Sequence, residues 1–354
     1  MNKKIAILPG DGIGPEIIEQ AVKVLKAVEK KYNHQFEYQY GLIGAAAIDK
    51  TGNPYPDETH ALCSNSDAIL FGAIGDPKYD NDPTAKIRPE QGLLKMRSSL
   101  ELYANIRPVK SYDVLLDASP LKNERIKNAD FVVVRELISG IYFGKPRGRS
   151  EDQQIAYDTC VYTKDEIIRI TEKAFQFAQN RRKKVTLLDK ANVLATSRLW
   201  RETVTEYAKK YPEIELECNF IDSAAMEVIT KPTKFDVILT ENLFGDIISD
   251  EASVITGSLG MLPSASLGNK ISLYEPIHGS YPQAAGKNIA NPMATILSAA
   301  LLLEYSFGLL TESQQITTAV ERALNEGFVT EDINNGKSTT TEVGDKIVEY
   351  ILSA

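Results

Sequence analysis

Two aspartates in the second half of the chain have the spacing of a cation site. In FDVILTENLFGDIISDEAS, residues 235–253, an apolar strand pattern leads into a helical pattern that carries Asp246 and Asp250 one turn apart. Residues four apart share a helix face, so both carboxylates can bind one cation. Oxygen ligands favour Mg²⁺ or Mn²⁺ over Zn²⁺. Two solvated acids on a helix surface would have the same spacing, so the pair alone leaves both interpretations open.

Arginines at the ends of predicted strands indicate an anionic ligand. Arg135 closes the apolar run FVVVRE, and Arg107 stands in LYANIRP, which we interpret as a second strand end. Ligands of open α/β sheets bind at the carboxyl ends of strands, and guanidinium groups pair bidentately with carboxylates. The chain carries a net charge of −8, so an anionic ligand requires a local cluster of arginines that outweighs the negative charge of the whole protein.

A third arginine lies in PEQGLLKMRSSLELYANIRP, residues 89–108, which has a helical pattern. Glu90, Leu93, Leu94 and Arg97 recur at positions i, i+3, i+4 and i+7 and therefore share one face. That face predicts a pocket with an apolar wall beside a carboxylate-binding guanidinium. The alternative is ordinary amphipathic packing, with Arg97 extending to water.

A lysine and an aspartate follow two further predicted strands. Lys190 ends the run VTLLDK, and Asp222 continues the alternation of IELECNFID. An apolar strand face that ends in a carboxylate indicates an acid that is either used or paired. On this pattern Asp222 shares its face with Ile214, Leu216, Cys218 and Phe220.

The N-terminal stretch ILPGDGIGPEI, residues 7–17, is similar to a dinucleotide-binding fingerprint but lacks its spacing. A strand, a glycine turn and a helix follow one another, yet Gly14 comes one residue too early for G-x-G-x-x-G. The acid expected about 20 residues later is missing from the next predicted strand, FEYQYGL. A tight turn that needs positive φ explains the glycines better than a Rossmann site does.

Strand and helix patterns alternate throughout, which predicts an α/β protein. GIYFGKPRGRSEDQQIAYDTCVYT, residues 140–163, is polar and aromatic and predicts a protruding hairpin, an oligomer arm. EPIHGSYPQAAGKNIANP, residues 275–292, predicts a long ordered loop, which is either functional or a connector. Besides FEYQYGL, the predicted strands include 4–8, 67–72, 102–108, 129–135, 184–189, 214–220 and 235–240.

The length and composition limit the classes of protein to which the chain can belong. The 354 residues suffice for about two domains. The acidic balance disfavours nucleic-acid binding, and three scattered histidines disfavour a zinc site. Three distant cysteines predict reduced thiols and a cytoplasmic protein, and the apolar run Ile5 to Leu8 is too short for a signal peptide. No apolar run approaches the length of a membrane span.

Taken together, these motifs resemble the metal-dependent β-decarboxylating dehydrogenases, the isocitrate/isopropylmalate dehydrogenase family. The matches cover nearly the whole chain in order, from ILPGDGIGPEI through MRSSLELYANIRP, RELISGIYFGKPRG, DKANV, NLFGDIISDEAS, GSLGMLPSASLG and EPIHGS to ANP. The resemblance implies two α/β domains on a mixed sheet that runs through both, which is not a Rossmann fold. A discontinuous cofactor-binding domain would comprise 1–102 and 257–354 and hold both termini. A central domain, 103–256, would carry the dimer interface and an arm at about 138–163.

The resemblance also implies an activity. A 2-hydroxy acid would be oxidised at C2 by NAD⁺ and would lose the neighbouring carboxylate as CO₂, in sites shared across a homodimer. A divalent metal would polarise the C2 oxygen, with the partner's Lys190 as base and Tyr142 as acid. Arg97, Arg107 and Arg135 would bind the substrate carboxylates, and Asp246, Asp250 and the partner's Asp222 would hold Mg²⁺ or Mn²⁺.

Cofactor contacts carried over from the family fall on Ile13, Asn192, His278, Gly279, Gln283 and Asn291. The chain departs from the family here, because HGSYPQAAG stands where NAD-dependent members have HGSAPDIAG. Gln283 can hydrogen-bond ribose hydroxyls but cannot repel a 2′-phosphate by charge. NADP-dependent members have lysine and tyrosine in the corresponding positions, neither of which is present, so we expect NAD with weaker discrimination.

Substrate choice within the family depends on Glu90, Leu93 and Leu94. Isocitrate would bury a third, unpaired carboxylate against the leucines, which is costly, whereas an isopropyl group gains from burial. We therefore expect a malate that carries an isopropyl group, a step of leucine biosynthesis. D-malate or tartrate oxidation is the alternative within the family. Mg²⁺-dependent phosphoryl transfer is a more distant one, and the chain lacks G-x-x-x-x-G-K-[ST].

Overall fold

The structure, a computed structural model, describes residues 1–81 and 86–353 and divides into two compact units. One unit comprises Met1–Leu102 with Gly257–Ala354, and the other Tyr103–Thr256. The division falls at the positions that the family resemblance implies for the domains. The roles assigned to the two domains stay predictions.

The strands of the described residues alternate with helices in both units, as the sequence predicts. The strands are β1 (Asn2–Gly10), β2 (Gln35–Tyr40), β3 (Ala68–Ala73), β4 (Ala104–Lys110), β5 (Asp130–Glu136), β6 (Arg147–Arg149), β7 (Ala156–Asp158), β8 (Lys184–Asp189), β9 (Glu215–Phe220), β10 (Val237–Thr240), β11 (Pro263–Leu267) and β12 (Ser272–Pro276). The helices are α1 (Gly14–Tyr32), α2 (Ala45–Thr51), α3 (Asp57–Ser64), α4 (Pro77–Asp80), α5 (Pro89–Ser99), α6 (Asn123–Ile126), α7 (Lys164–Gln179), α8 (Ala195–Ala208), α9 (Ile221–Thr230), α10 (Asn242–Thr256), α11 (Met293–Tyr305), α12 (Leu310–Asn325) and α13 (Thr340–Ser353).

The first unit contains a mixed sheet in the order β2, β1, β3, β12, β11. All neighbours are parallel except the β11–β12 pair, which is antiparallel. Helix α11 packs against β11, β12 and α1. Because α11 is apolar on all sides, it is buried along most of its length and forms the centre of this unit.

The second unit contains a mixed sheet in the order β4, β5, β10, β8, β9. Strand β4 is antiparallel to β5, and the remaining neighbours are parallel. Helix α10 packs on β4, β5 and α9, whereas α7 packs on α8 and on β5, β8 and β10. The predicted α/β class with mixed strand directions is confirmed.

The predicted arm forms a separate two-stranded antiparallel sheet. Strands β6 and β7 pair from Arg147 with Asp158 to Arg149 with Ala156, and all six residues are exposed. Two other strands, β11 and β12, were absent from the predicted set. Their short segments, PSASL and SLYEP, contain proline and serine and lack an extended apolar run.

The glycine turn after β1 is a structural turn, as its spacing predicts. Gly10 and Gly12 have φ of 72° and 57°, values that a side chain disfavours. Between them lies Asp11, a buried carboxylate that sequence reasoning did not single out. Its oxygens accept from the backbone N–H groups of Ala45, Ala46 and Gly75, each at 2.9 Å. One carboxylate thus holds two backbone segments, at residues 45–46 and at residue 75, against the turn.

No helix of the described residues is long and apolar enough to cross a membrane.

Asp11→Ala is expected to lower the free energy of unfolding by about 2–4 kcal/mol, because three backbone donors lose their acceptor. Urea unfolding followed by circular dichroism measures the change. Asp49→Ala is the matched control, since Asp49 pairs with Lys78 on the surface and its loss should cost no more than about 1 kcal/mol. Equal losses in the two variants would contradict the role assigned to Asp11.

Candidate active site

Asp246 and Asp250 face the same side of α10, as their spacing predicts. One guanidinium group, that of Arg107, reaches both: Nη1 lies 2.9 Å from Asp250 Oδ1, and Nη2 lies 3.7 Å from Asp246 Oδ1. Asp246 is half-buried, whereas Asp250 is exposed. The two carboxylates therefore stand together beside at least one cationic group.

Arg135 lies at the next-to-last position of β5 and is only 2% exposed. Its Nη1 donates to Asp246 Oδ1 at 2.5 Å. The first turn of α10 can approach this closely because residue 245 is glycine. A Cβ atom there would lie 2.5 Å from Arg135 Cγ, far inside van der Waals contact. Gly245 thus allows the helix and the arginine to meet.

Arg107 does not lie at a strand end, contrary to the prediction. It occupies the middle of β4, and β4 runs antiparallel to β5 with Asn105 opposite Arg135 and Arg107 opposite Val133. Alternate residues of a strand share a face, so Arg107 reaches the same region from a central position. The strand-end argument failed because it assumed that β4 and β5 are parallel.

Tyr142 joins this cluster through a short 3₁₀ turn, Gly140–Tyr142, that follows β5. Its hydroxyl donates to Asp246 Oδ2 at 2.9 Å. Burial, together with the adjacent carboxylate, raises the pKa of the phenol above its ordinary value. Tyr142 is therefore a neutral hydroxyl that holds its proton beside the aspartates at physiological pH.

The electrostatics of Asp246 suit a cation ligand. Burial alone would raise the pKa of this carboxyl, but Arg135, the Tyr142 hydroxyl and Arg107 together hold it below its usual range. Asp246 is therefore ionised at neutral pH, and both aspartates offer hard oxygen donors suited to Mg²⁺ or Mn²⁺. Among the described residues, no group of three His, Cys, Asp or Glu side chains forms a metal cluster.

Lys190 and Asp222 form a separate pair within the same unit. Lys190 directly follows β8, as predicted, and its Nζ lies 2.6 Å from Asp222 Oδ1. Asp222 does not extend the alternation of the preceding strand, because β9 ends at Phe220 and Asp222 lies in the first turn of α9. The lysine lowers the pKa of this exposed carboxyl. The structure thus pairs two predicted site residues that the strand pattern could not relate.

The predicted face of α5 is only partly a packing face. The helix buries Pro89, Gly92 and Met96, whereas Leu94 is 40% exposed and Glu90 is also exposed. Leu93 is partly buried against a neighbouring core. Two of the four residues on this face are therefore exposed and two are partly buried, and the pocket that they would form stays a prediction.

Arg97 does not extend to water either. Its Nη2 donates to the buried Glu275 Oε1 at 2.9 Å. Its Nε is buried and has no hydrogen-bond partner among the described residues. Arg97 is therefore a paired guanidinium with one donor still unused.

The first unit contains a cavity of about 850 Å³, within the size range of small-molecule sites. Four of the predicted cofactor residues line it, namely Ile13, His278, Gly279 and Asn291. The Nε2 atom of His278 is buried and has no partner among the residues that the structure describes. An apolar wall with an unused polar atom suits a nucleotide.

Two predicted cofactor residues lie elsewhere. Gln283 is exposed and is not among the residues that line the cavity. Asn192 is exposed in the turn after β8, in the other unit.

Sequence reasoning missed two acidic residues that line the cavity, Glu331 and Asp332. Asp332 accepts from Asn291 Nδ2 at 3.0 Å and from the hydroxyl of Ser258. These acids are some 50 residues from His278 in the sequence, and no local pattern marks them.

Two buried asparagines around the arginines were also missed. Asn105 accepts from Arg107 Nε at 2.8 Å, and Asn242 accepts from Arg135 Nη2 at 2.8 Å. Each stands in a buried strand or directly after one, where a polar residue needs a partner. That signal was present in LYANIRP and LTENLFGD.

Comparison with known proteins agrees with this architecture. The sequence profile of isocitrate/isopropylmalate dehydrogenase matches residues 4–347. The chain is 56% identical to the 3-isopropylmalate dehydrogenase of Aquifex aeolicus, covering 98% of this chain and 97% of that protein. It is 53% identical to the enzyme of the same name from Bacillus subtilis, covering 100% and 98% respectively.

Solved structures are similar over the whole chain. The isocitrate dehydrogenase of Methylococcus capsulatus superimposes with a TM-score of 0.88 at 34% identity and covers 99% of both chains. A β-decarboxylating dehydrogenase of Thermococcus kodakarensis gives a TM-score of 0.82 at 35% identity, covering 99% of this chain and 96% of that one. The chain therefore belongs to the isocitrate/isopropylmalate dehydrogenase family, a family of decarboxylating oxidoreductases.

Proposed function

We propose that the chain catalyses the NAD-dependent oxidative decarboxylation of 3-isopropylmalate to 4-methyl-2-oxopentanoate and CO₂, a cytoplasmic step of leucine biosynthesis. The observation that carries the proposal is the convergence of Arg107, Arg135 and the Tyr142 hydroxyl on Asp246. Two buried guanidinium groups suit the carboxylates of a malate. The relatives at 53–56% identity that bear the name 3-isopropylmalate dehydrogenase support the choice of substrate.

Binding and positioning are the work of the arginines and of α5. Arg97, Arg107 and Arg135 hold the two carboxylates of the substrate in charge-assisted hydrogen bonds. Leu93 and Leu94, with Glu90 beside them, contact the isopropyl group. The exposure of Leu94 in this chain supports that role, because a ligand can still cover it.

Proton transfer is assigned to two side chains. Lys190 takes the proton of the C2 hydroxyl at its Nζ, and Tyr142 delivers a proton from its hydroxyl to C3 after CO₂ has left. When bound, Mg²⁺ or Mn²⁺ would polarise the C2 oxygen, and NAD⁺ would accept the hydride. Asp246 and Asp250 would hold the metal, and Asp222 would join them from a partner subunit. The 2.6 Å contact of Lys190 with Asp222 supports the view that one subunit supplies both.

A second copy of the chain is the proposed partner. Large apolar side chains are exposed on the arm and on two helices, with Ile155 at 63%, Met226 at 62% and Ile247 at 55%. Exposed apolar groups of this size on α9, α10 and the arm favour a subunit interface. A homodimer would cover them.

The cofactor cavity would take the adenosine end of NAD⁺. His278, Asn291 and Ile13 offer polar and apolar contacts, and Glu331 and Asp332 add negative charge to the wall. Negative charge disfavours the additional phosphate of NADP⁺. Position 283 is Gln in this chain, where NAD-dependent members have an aspartate. Glu331 and Asp332 can supply the negative charge of that aspartate.

NADH formation with Mg²⁺ and NAD⁺ should be fastest with 3-isopropylmalate when isocitrate, D-malate and tartrate are offered in parallel. Leu94→Ala should reduce the preference for 3-isopropylmalate over D-malate about tenfold in kcat/KM, because the isopropyl group loses apolar contact. Lys95→Ala, a change at the neighbouring exposed residue of α5 that removes no apolar side chain, is the matched control and should leave the preference unchanged. A wild-type preference for D-malate or tartrate would contradict the substrate, and an unchanged preference in Leu94→Ala would contradict the pocket.

Shared active sites should be revealed by complementation. Lys190→Met and Asp246→Asn homodimers should each be nearly inactive, but a heterodimer purified with two different tags should recover activity. In that heterodimer, one site combines the intact Lys190 of one subunit with the intact Asp246 of the other. The control heterodimer pairs wild type with the double variant Lys190→Met, Asp246→Asn, and should be inactive. Sites contained within single subunits would give the opposite pattern.

NADH should bind about tenfold or more tightly than NADPH, as measured by nucleotide fluorescence without substrate. Glu331→Gln should narrow this difference by improving NADPH binding, because the wall of the cavity loses a negative charge. Glu58→Gln, an exposed change on α3, is the control. Tighter binding of NADPH than of NADH by the wild type would refute the proposed cofactor.

A further inference from the structure

Asn242 is a buried polar residue at the start of α10, with an exposed fraction of 0%. Its side-chain Oδ1 accepts two hydrogen bonds from Arg135, from Nε at 3.2 Å and from Nη2 at 2.8 Å. Its Nδ2 donates to the backbone carbonyl of Ser139 at 3.0 Å. Its backbone N–H donates to the Tyr162 hydroxyl at 2.9 Å. A single side chain thus joins an arginine to the segment that follows β5.

The orientation of the Asn242 amide is fixed by these partners. Its oxygen faces two N–H donors, and its nitrogen faces a carbonyl acceptor. The flipped amide would place donor against donor and acceptor against acceptor. The bond to Ser139 therefore depends on the same orientation as the bonds to Arg135.

Ser139 immediately precedes the turn Gly140–Tyr142, which presents the Tyr142 hydroxyl to Asp246. A second buried residue, Glu136, holds the same segment by accepting from the backbone N–H groups of Ile138 at 3.1 Å and Ser139 at 2.9 Å. Glu136 thus holds the segment before the turn through two backbone N–H groups, and Asn242 holds the same segment through a backbone carbonyl.

Asn105 provides a comparison within the same unit. It is also buried and accepts from an arginine Nε, that of Arg107, at 2.8 Å. It lies on β4 and holds Arg107, whereas Asn242 holds Arg135 and the turn together. Comparing Asn105 with Asn242 therefore separates two effects: the loss of a hydrogen bond to a guanidinium group, and the loss of the hydrogen bond that holds the turn carrying Tyr142.

We propose that Asn242 is a positioning residue that couples the orientation of the Arg135 guanidinium to the placement of the Tyr142 hydroxyl. This inference rests on the proposed function, in which Arg135 binds a substrate carboxylate and Tyr142 delivers a proton. Removing Asn242 should therefore impair both substrate binding and turnover, although Asn242 itself contacts neither the substrate nor the reacting atoms.

Three variants separate the two effects. Asn105→Ala loosens an arginine, Glu136→Gln loosens the turn, and Asn242→Ala loosens both. Calorimetric titration with 3-isopropylmalate and Mg²⁺ gives Kd, and turnover at saturating substrate gives kcat. Asn242→Ala should raise Kd and lower kcat, each about tenfold, because hydrogen bonds to a charged group and to the turn are lost. Asn105→Ala should raise Kd alone, and Glu136→Gln should lower kcat alone.

Hydrogen exchange of the peptide spanning residues 137–144 gives a readout independent of activity. Exchange should be faster in Asn242→Ala than in the wild type and unchanged in Asn105→Ala. If Asn242→Ala fails to fold, Asn242→Ser replaces it, since the hydroxyl is polar but too short to reach both partners. A kcat for the folded Asn242 variant equal to that of Asn105→Ala, or unchanged exchange of the turn, would overturn the coupling.

Failure of the proposed function is distinguishable from failure of this inference. A wild-type enzyme that neither binds nor oxidises 3-isopropylmalate would refute the substrate. The same three variants would then be compared with the 2-hydroxy acid that the enzyme prefers. With that substrate, a lower kcat in both the Asn242 and Glu136 variants, together with a higher Kd in the Asn242 variant, would still support the coupling.

Discussion

The ion pair between Arg135 and Asp246 is the interaction on which the arrangement of the second unit depends. A guanidinium group buried to this degree is costly to remove from water unless its donors are paired. Asp246 and Asn242 provide those partners from the first turns of α10. These contacts consequently fix the positions of β5, α10 and the turn that carries Tyr142 relative to one another. Gly245 permits the close approach of α10 to Arg135.

Cationic groups of the candidate site are matched by carboxylates of the chain itself. Arg97 faces Glu275, Lys190 faces Asp222, and Arg107 and Arg135 face Asp246 and Asp250. A net charge of −8 is therefore compatible with anion binding, because each arginine is positioned locally. These arginines can bind an anion because of where they are placed, and not because the chain has an excess of positive charge.

Local patterns predicted the parts of the fold that depend on local physics. The shared face of Asp246 and Asp250 follows from helical periodicity, and Lys190 follows a mainly apolar strand whose last five residues are buried. The errors came from non-local pairing. The position of Arg107 depends on β4 being antiparallel to β5, and Glu331 enters the cavity from a distant segment. The bond between Asn242 and Ser139 likewise requires the folded chain, although a buried asparagine was a visible signal.

The discontinuity of the first unit has a consequence for biosynthesis. Strand β3 pairs with β12, whose residues lie about 200 positions later in the chain, as Ile69 does with Leu273. A ribosome therefore releases all of residues 103–256 before the sheet of the first unit can be completed. The central unit can fold during translation, whereas β3 waits with an open edge. A nascent chain from which residues 103–256 have emerged, but not yet residues 272–276, would carry one complete unit and one strand without its partner.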